Sequence, residues 1–222
     1  MNDQQNQMNP QEQTPDPSVS GVFGHGWEIL KKFFPELLLV IFLQMLISIP
    51  ISLGNVFNDR ESFGSGFFGL FAIVYALLVM APVSYGSSWI FLKAVRGESF
   101  RPQDMFFAFQ QIGQIILANI LVGLIVGLGI LFLIIPGIIF ACKLAFVPYL
   151  IMDEKLDAAE AIRKSWAMTK GHSGTIFLIG ITSFFVALAG IICLIVGIFP
   201  AIIWISLAFA GIYWSVSLKQ KG

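Results

Sequence analysis

The chain has 222 residues, of which 57% are hydrophobic and 12% are charged, and its mean hydropathy is +0.83. Soluble domains carry roughly 25% charged residues, so the composition excludes an ordinary soluble protein and predicts a membrane protein. The formal net charge is +0, and the basic residues form short clusters rather than a stripe, which argues against a nucleic-acid partner.

The N-terminal segment 1–19 is predicted to be a disordered polar tail. It is rich in Gln, Asn and Pro, so it cannot bury enough apolar surface to offset its conformational entropy. It also lacks the basic start and apolar middle of a signal peptide. Binding of a partner is the alternative to a plain solvated tail. A single membrane domain is expected at 20–218, followed by a short C-terminal tail at 219–222.

Six long apolar segments follow the tail. A bilayer core of about 30 Å is crossed by about 20 mostly apolar residues in a helix. The segments that meet or approach this length lie at 34–53, 67–92, 112–132, 136–152, 174–197 and 200–218. The connections near 129–136 and 190–200 carry no charge, which predicts tight turns close to or within the apolar layer. The predicted fold is an all-α polytopic bundle of six transmembrane helices arranged as three hairpins.

Basic charge alternates between the two sides of this bundle. Eleven of the thirteen Lys and Arg residues fall at the N-terminus, in the 93–111 and 153–173 connections and at the C-terminus, whereas the opposite face holds Arg60 alone. Loop Lys and Arg set the orientation of membrane proteins, with the basic side in the cytoplasm. We therefore predict that both termini are cytoplasmic.

Two parts of the chain resemble each other. The run from Phe132 to Phe140, with Pro136 at its centre, recurs from Val196 to Trp204 around Pro200. Trp27 lies ten residues before Leu37 and Trp166 ten before Ile176, near the starts of spans one and five, and Lys31 and Lys170 each lie four residues after their tryptophan. These matches predict parallel repeats at 20–98, 99–153 and 154–218, the first of which matches least well.

Each repeat is predicted to begin with an amphipathic helix on the cytoplasmic side. Before span five, Asp157 and Glu160 have the spacing of a capping box, Glu160 and Lys164 have that of an ion pair, and Gly171 is placed to end the helix. Its predicted apolar stripe consists of Leu156, Ala159, Ile162, Trp166 and Thr169.

The N-terminal counterpart has Ser20 as its predicted cap, and its stripe consists of Phe23, Trp27, Leu30 and Phe34. Such stripes with basic polar faces suit a headgroup layer, which makes Trp27, Lys31, Trp166 and Lys170 candidate interfacial anchors. Two interpretations stay open, namely simple packing beneath the bundle and recognition of lipid headgroups.

Lys143 is the basic residue that the predicted spans place inside the membrane. It lies about ten residues, or about 15 Å of helix, from the aqueous end at Asp153. A charge at this depth is expected to face the bundle or a wet cavity, with Glu36, Gln44 or Asn119 as partners. Contact with an anion or lipid phosphate and a structural ion pair are equally compatible with the pattern.

The sequence contains no set of residues typical of a catalytic or metal site. Its two histidines, His25 and His172, are far apart and outside the spans, whereas metal enzymes assemble three or more ligands. Cys142 and Cys193 lie within spans, where a thiol behaves as a small apolar group. No cofactor is predicted. Gly123 and Gly127 have the spacing of a small-xxx-small helix contact.

Several motifs together resemble those of a known group of proteins. They are the run Leu133–Ile139, the segment Met152–Leu156, the segment Ala161–Gly171 and the pair Gly26–Trp27. With these motifs, residues 20–218 resemble uncharacterised bacterial multi-pass membrane proteins, which are similar to the membrane domain of membrane-anchored glycerophosphodiester phosphodiesterases. The resemblance implies a helical bundle in the bacterial cytoplasmic membrane. It implies no catalysis, because hydrolysis in those phosphodiesterases belongs to a separate soluble domain.

Three functional hypotheses follow. The preferred one is a non-enzymatic membrane protein that supports envelope or membrane organisation and contacts lipids, with another membrane protein as a further partner. The second is a carrier for a lipid or small anion that uses Lys143. The third, a membrane enzyme, has the least support because acid–base groups are nearly missing from the spans.

Overall fold

The computed structural model describes residues 15–57, 64–192 and 197–221, and these residues form helices without any strand. The α-helices are α1 (Val19–Lys32), α2 (Phe34–Phe57), α3 (Gly64–Tyr75), α4 (Ala81–Val95), α5 (Ile112–Phe132), α6 (Ile134–Leu144), α7 (Val147–Glu154), α8 (Ala158–Met168), α9 (Ser173–Ile192) and α10 (Ile198–Lys221). A π-helical turn (Ala76–Met80) joins α3 to α4, and a 3₁₀ segment (Pro102–Gln111) precedes α5. Residues 1–14, Arg60 and Cys193 lie outside the described residues.

Within the described residues, six helical segments are long and apolar enough to cross a membrane. They are Phe34–Ser52, Gly69–Val95, Pro102–Phe132, Ile135–Glu154, Ser173–Ile192 and Ile198–Lys219. The prediction of six spans is thereby confirmed at the level of length and composition. The third segment begins earlier than predicted, because the 3₁₀ segment leads directly into α5.

The second helix of each consecutive pair lies in the interior. Most residues of α4 and α7 and about half of those of α10 are buried, whereas α2, α5 and α9 expose large apolar side chains. Tyr85, Tyr149 and Tyr213 are evenly spaced along the chain, and each is buried in one of these inner helices. The inner helices α4, α7 and α10 therefore form the core of the bundle, and α2, α5 and α9 lie outside it.

Packing is dense at one end of the bundle and open at the other. Around the α5–α6 connection, Leu131, Phe132, Leu133 and Ile135 are between 66% and 80% exposed. Contiguous apolar exposure on this scale is rare in soluble monomers. In a bilayer, lipid tails would cover these side chains, so the exposure agrees with six membrane-crossing helices.

Glycines allow adjacent helices to approach closely near two chain reversals. A Cβ at Gly129 would lie 2.9 Å from the Gly137 Cα, and one at Gly190 would lie 2.8 Å from the Ala201 Cβ. Gly137 and Ala201 each directly follow a proline, and both prolines lie in the first helical turn, where the missing N–H costs little. In both helix pairs, α5–α6 and α9–α10, a glycine thus lies against the small residue that follows a proline.

The start of the described chain differs from the prediction. Residues 15–18 were predicted to belong to a disordered tail, but Pro15 is buried and its carbonyl oxygen accepts a hydrogen bond from Ser215. The N-cap of α1 is Ser18 rather than Ser20, and its Oγ accepts a 3.1 Å hydrogen bond from the Gly21 N–H.

The predicted capping box of α8 is wrong, and its buried face differs from its predicted apolar stripe. Asp157 occupies the N-cap position but makes no side-chain cap hydrogen bond, because Gln114 Oε1 instead accepts from the Ala158 N–H at 3.0 Å. The buried face is one residue out of phase with the predicted stripe and consists mainly of small side chains, namely Ala158, Ala161, Ser165 and Met168. Gly171 does adopt the left-handed conformation, with φ of +90°.

The predicted contact through Gly123 and Gly127 is also wrong within the described residues, because a Cβ at either position would meet nothing within 4 Å. Gly86 is the glycine that α4 requires. A Cβ there would lie 2.0 Å from the Met105 carbonyl oxygen, so α4 and the 3₁₀ segment touch backbone to backbone.

Gly86→Ala is expected to destabilise the protein, because the new methyl group overlaps backbone atoms that cannot rotate away. Overpacking of this kind costs about 1–3 kcal/mol. Thermal unfolding of the detergent-purified protein measures the effect. Gly123→Ala is the matched control, and it is expected to be neutral or stabilising because alanine favours a helix. Equal melting temperatures for the two variants would contradict the close contact.

Candidate functional site

Four basic segments of the sequence meet at the densely packed end of the bundle. His25 Nε2 of α1 donates a 3.1 Å hydrogen bond to the Val95 carbonyl at the end of α4, and the His25 ring lies 6.3 Å from that of Trp214 in α10. Arg96, directly after α4, reaches Asp153 in α7. We call this region, formed by α1, α8 and the C-terminal parts of α4, α7 and α10, the polar end.

An ion pair joins the three inner helices at the polar end. The Arg96 guanidinium donates two hydrogen bonds to Asp153, from Nη1 to Oδ1 at 2.6 Å and from Nη2 to Oδ2 at 2.7 Å. The Tyr213 hydroxyl donates to Asp153 Oδ2 at 3.1 Å. The Tyr213 ring stacks on that of Tyr149, with 5.0 Å between the centroids. Both Asp153 carboxylate oxygens therefore accept hydrogen bonds at a largely buried position.

The cation of this pair offsets negative charge from several sources. The last carbonyls of α4 and α7 carry the negative ends of two helix dipoles, and Asp153 adds a full charge. Burial lowers the pKa of Arg96, but the hydrogen bonds and charge of Asp153 outweigh that effect, so the pKa is raised. The guanidinium stays protonated at every pH at which proteins are normally handled, and alkali does not weaken the pair.

Two further ion pairs surround the first. Lys93 Nζ lies 3.2 Å from Asp104 Oδ2, and Lys164 pairs with Glu154 rather than with the predicted Glu160. In each case a residue of an inner helix is tied to a neighbouring segment. At the polar end, ion pairs therefore join the inner helices to each other and to neighbouring segments.

Lys143 has a different environment from the one predicted. Its ammonium nitrogen lies 4.8 Å from the centroid of the Trp166 ring, a distance typical of a cation–π contact. Its carbonyl accepts hydrogen bonds from Ser165 Oγ at 2.7 Å and Thr169 Oγ1 at 3.4 Å. α6 ends one residue later, at Leu144, so Lys143 lies where α8 crosses the end of α6.

The predicted partners of Lys143 are wrong within the described residues. Neither Glu36 nor any other described carboxylate lies within ion-pair distance. Asn119 donates instead to the Ile115 carbonyl of its own helix, and no hydrogen bond joins Gln44 to Lys143. The aromatic ring of Trp166 is the partner, and the primary sequence does not place α8 beside α6.

Lysine lies over tryptophan at three places, which we call the Lys–Trp pairs. They are Lys31 over Trp27 at 5.9 Å, Lys93 over Trp89 at 3.9 Å and Lys143 over Trp166 at 4.8 Å. Of the predicted anchors, Trp27, Lys31 and Trp166 belong to these pairs, and both tryptophans are exposed. Lys170 is also exposed but does not contact Trp166. The sequence analysis missed the pair of Trp89 and Lys93, although their i,i+4 spacing could have revealed it.

An apolar groove lies between α6 and α9, and its lining on α6 reaches Cys142, the residue before Lys143. One part has a volume of about 460 Å³ and includes Ala141, Gly180 and Phe209 in its lining. A second part, of about 330 Å³, includes Ile139 and Ser173. Both parts share Ile138, Cys142 and Phe177, so they are continuous. We call this feature the α6–α9 groove, and its lining is almost entirely apolar.

A search of the described residues finds no group of three or more His, Cys, Asp or Glu side chains that could hold a metal ion. No family model, curated protein or solved structure matches the chain. The polar end and the α6–α9 groove are therefore the candidate functional site.

Asp153→Asn is expected to lower the free energy of unfolding by about 3 kcal/mol, because it leaves the Arg96 guanidinium without its counter-charge in a largely buried place. Tyr213→Phe removes one hydrogen bond to a charged group and is expected to cost about 1.5 kcal/mol. Denaturant unfolding in mild detergent measures both.

Glu98→Gln is the control for this comparison. Glu98 also lies near Arg96, at 3.8 Å, but its side chain is 49% exposed, and exposed pairs contribute at most about 1 kcal/mol. If Asp153→Asn unfolds no more readily than Glu98→Gln, the ion pair does not hold the inner helices together.

Proposed function

We propose that the protein is a non-enzymatic, multi-pass membrane protein whose polar end contacts lipid headgroups and supports membrane organisation. The observation that carries the proposal is the presence of three Lys–Trp pairs next to helices with exposed apolar side chains. Tryptophan favours the depth of the membrane interface, and lysine extends from there to the headgroups. Each pair therefore places an apolar ring at the acyl region, and the ammonium groups of Lys31 and Lys143, which have no carboxylate partner among the described residues, can contact phosphate.

The two exposed residues of the predicted α8 stripe support the same function. Ala159 and Trp166 are exposed while the small residues of the opposite face pack on the bundle. In α1, Trp27 is likewise exposed, and Phe34 is exposed at the start of α2, whereas Phe23 and Leu30 of α1 are buried. Helices that are packed on one side and apolar on another suit an interface between protein and lipid. We propose that α1 and α8 are the interfacial helices of the bundle.

The proposed arrangement in the membrane is three parallel hairpins with the polar end in the cytoplasm. The close glycine contacts within the α5–α6 and α9–α10 helix pairs and the even spacing of the three buried tyrosines support the repeat. The exposed basic residues at the polar end support the orientation; they are Lys31, Lys32, Arg101, Lys155, Arg163, Lys170 and Lys219. The resemblance of the motifs supports a bacterial cytoplasmic membrane.

The carrier hypothesis finds less support. A path for a small anion needs polar groups along its length, but the α6–α9 groove beside Lys143 is almost wholly apolar. Lys143 also lies at the junction of α6 and α8 rather than in a polar cavity between spans. This arrangement favours contact with a lipid over passage of an ion.

The orientation can be tested by labelling single cysteines with a membrane-impermeant maleimide, in a variant with Cys142 and Cys193 replaced by alanine. Lys170→Cys is expected to react in inside-out membrane vesicles and not in intact spheroplasts, because positive loops face the cytoplasm. Arg60→Cys is the matched variant with the opposite expected result. Labelling of Lys170→Cys from outside would overturn the orientation.

The lipid-contact function predicts an enrichment of anionic lipid around the protein. Polymer extraction in native nanodiscs, followed by lipid mass spectrometry, should recover more anionic lipid per protein than the bulk membrane contains. Replacing Lys31, Lys93 and Lys143 together by Gln should return the ratio to bulk, since each basic residue near the surface contributes about 1 kcal/mol. The matched control replaces Lys32, Lys155 and Lys170, and a wild-type ratio equal to bulk would refute the function.

A further inference from the structure

We propose that the α6–α9 groove is a binding site for one anionic phospholipid, with an acyl chain along the groove and the phosphate at Lys143. This proposal rests on the proposed function and makes it specific, because it assigns one lipid to one site. Three observations carry it: the unsatisfied charge of Lys143, its place relative to the groove, and the apolar lining of the groove.

Lys143 stands apart from the other described cations. Every other Lys or Arg whose side chain the structure describes is either exposed or joined to a carboxylate, as in the pairs of Lys93, Arg96 and Lys164. Lys143 is half-buried in a candidate span, and it has no carboxylate partner among the described residues. A charge held away from water needs a counter-charge or hydrogen bonds. The Trp166 ring supplies a cation–π contact but accepts none of the conventional hydrogen bonds.

The ammonium group therefore has capacity for a ligand. It carries three N–H donors, and the described residues provide no hydrogen-bond acceptor for any of them. A phosphate oxygen is a strong acceptor with the opposite charge. Binding of phosphate at Lys143 would supply both missing contacts while leaving the Trp166 ring in place.

The position of Lys143 links this charge to the groove. Ile135, Ile139 and Lys143 follow one another at intervals of one helical turn, so they lie along one side of α6. Ile135 and Ile139 line the groove, and Lys143 comes next toward the polar end. A molecule with its phosphate at Lys143 would thus place its chain against Ile139 and Ile135.

The lining identifies the occupant as a lipid rather than free phosphate. The two parts of the groove, of about 460 and 330 Å³, have the size of small-molecule clefts. Their walls provide apolar contact and few polar groups, which suits an acyl chain and gives free phosphate no benefit. An anionic headgroup is favoured over a zwitterionic one because a choline group would add positive charge beside Lys143.

The test is native mass spectrometry of the full chain in detergent, titrated with phosphatidylglycerol or phosphatidylcholine. The wild-type protein should retain one phosphatidylglycerol in preference to phosphatidylcholine. Lys143→Gln should weaken this retention about five-fold, the ratio that corresponds to one basic residue at a membrane surface. Lys170→Gln, an exposed lysine at the same end, should retain the lipid as the wild type does.

A second variant tests the groove without touching the charge. Gly180 lines the groove, and a Cβ there meets nothing within 4 Å, so Gly180→Leu should fill the space without disturbing the helix. It should reduce lipid retention while Lys143 is intact. Gly123→Leu has the same open surroundings on α5 and should have no effect. Equal retention by Gly180→Leu and Gly123→Leu would exclude the groove as the site of the chain.

The remaining outcomes separate the site from the general function. Phosphatidylglycerol bound equally by Lys143→Gln and wild type would overturn the site, even if native nanodiscs show anionic enrichment. A Lys143-dependent lipid in the absence of such enrichment would support the site and refute the general function. If inorganic phosphate displaces the lipid headgroup and stabilises the protein equally well, the site is one for a free anion and the lipid proposal is wrong.

Discussion

The bidentate ion pair between Arg96 and Asp153 is the interaction on which the architecture depends. It lies where the ends of α4 and α7 meet, and Tyr213 brings α10 to the same carboxylate. Three inner helices are thereby joined through one small group of polar atoms. Since removal of one partner from a buried pair leaves an uncompensated charge, separation of these helices carries a large penalty. The outer helices then pack on a core whose polar end is fixed.

Among the described residues, one half-buried cation, Lys143, has no carboxylate partner. Lys93, Arg96 and Lys164 have carboxylate partners from neighbouring segments, and their roles are accounted for by the fold. Lys143 has an aromatic partner alone, and α8 is held beside it by hydrogen bonds from Ser165 and Thr169 to its carbonyl. The Lys143 carbonyl is thus hydrogen-bonded, whereas its ammonium group has no hydrogen-bond acceptor among the described residues. This contrast separates structural charges from the candidate for ligand binding.

The spans were predictable because length and hydropathy are properties of consecutive residues, and Pro136 and Pro200 mark the helix starts directly. The packed face of α8 was not, because hydrophobicity does not identify the interior of a protein surrounded by lipid. Small residues such as Ala158 and Ala161 pack inward, while Trp166 faces outward. The partners of Lys143 and Arg96 come from distant parts of the chain. Their pairing depends on how α6 ends and where α8 crosses it, which local sequence does not encode.

The α5–α6 connection has a mechanical consequence. From Gly129 to Pro136 there is no polar side chain, so this connection has no preferred depth within hydrocarbon, whereas the proposed tryptophan and lysine anchors would hold the polar end at one interface. A bilayer that becomes thicker or thinner would then change the surroundings of the α5–α6 tip and leave the polar end in place. The α5–α6 pair of helices would accommodate hydrophobic mismatch at this tip.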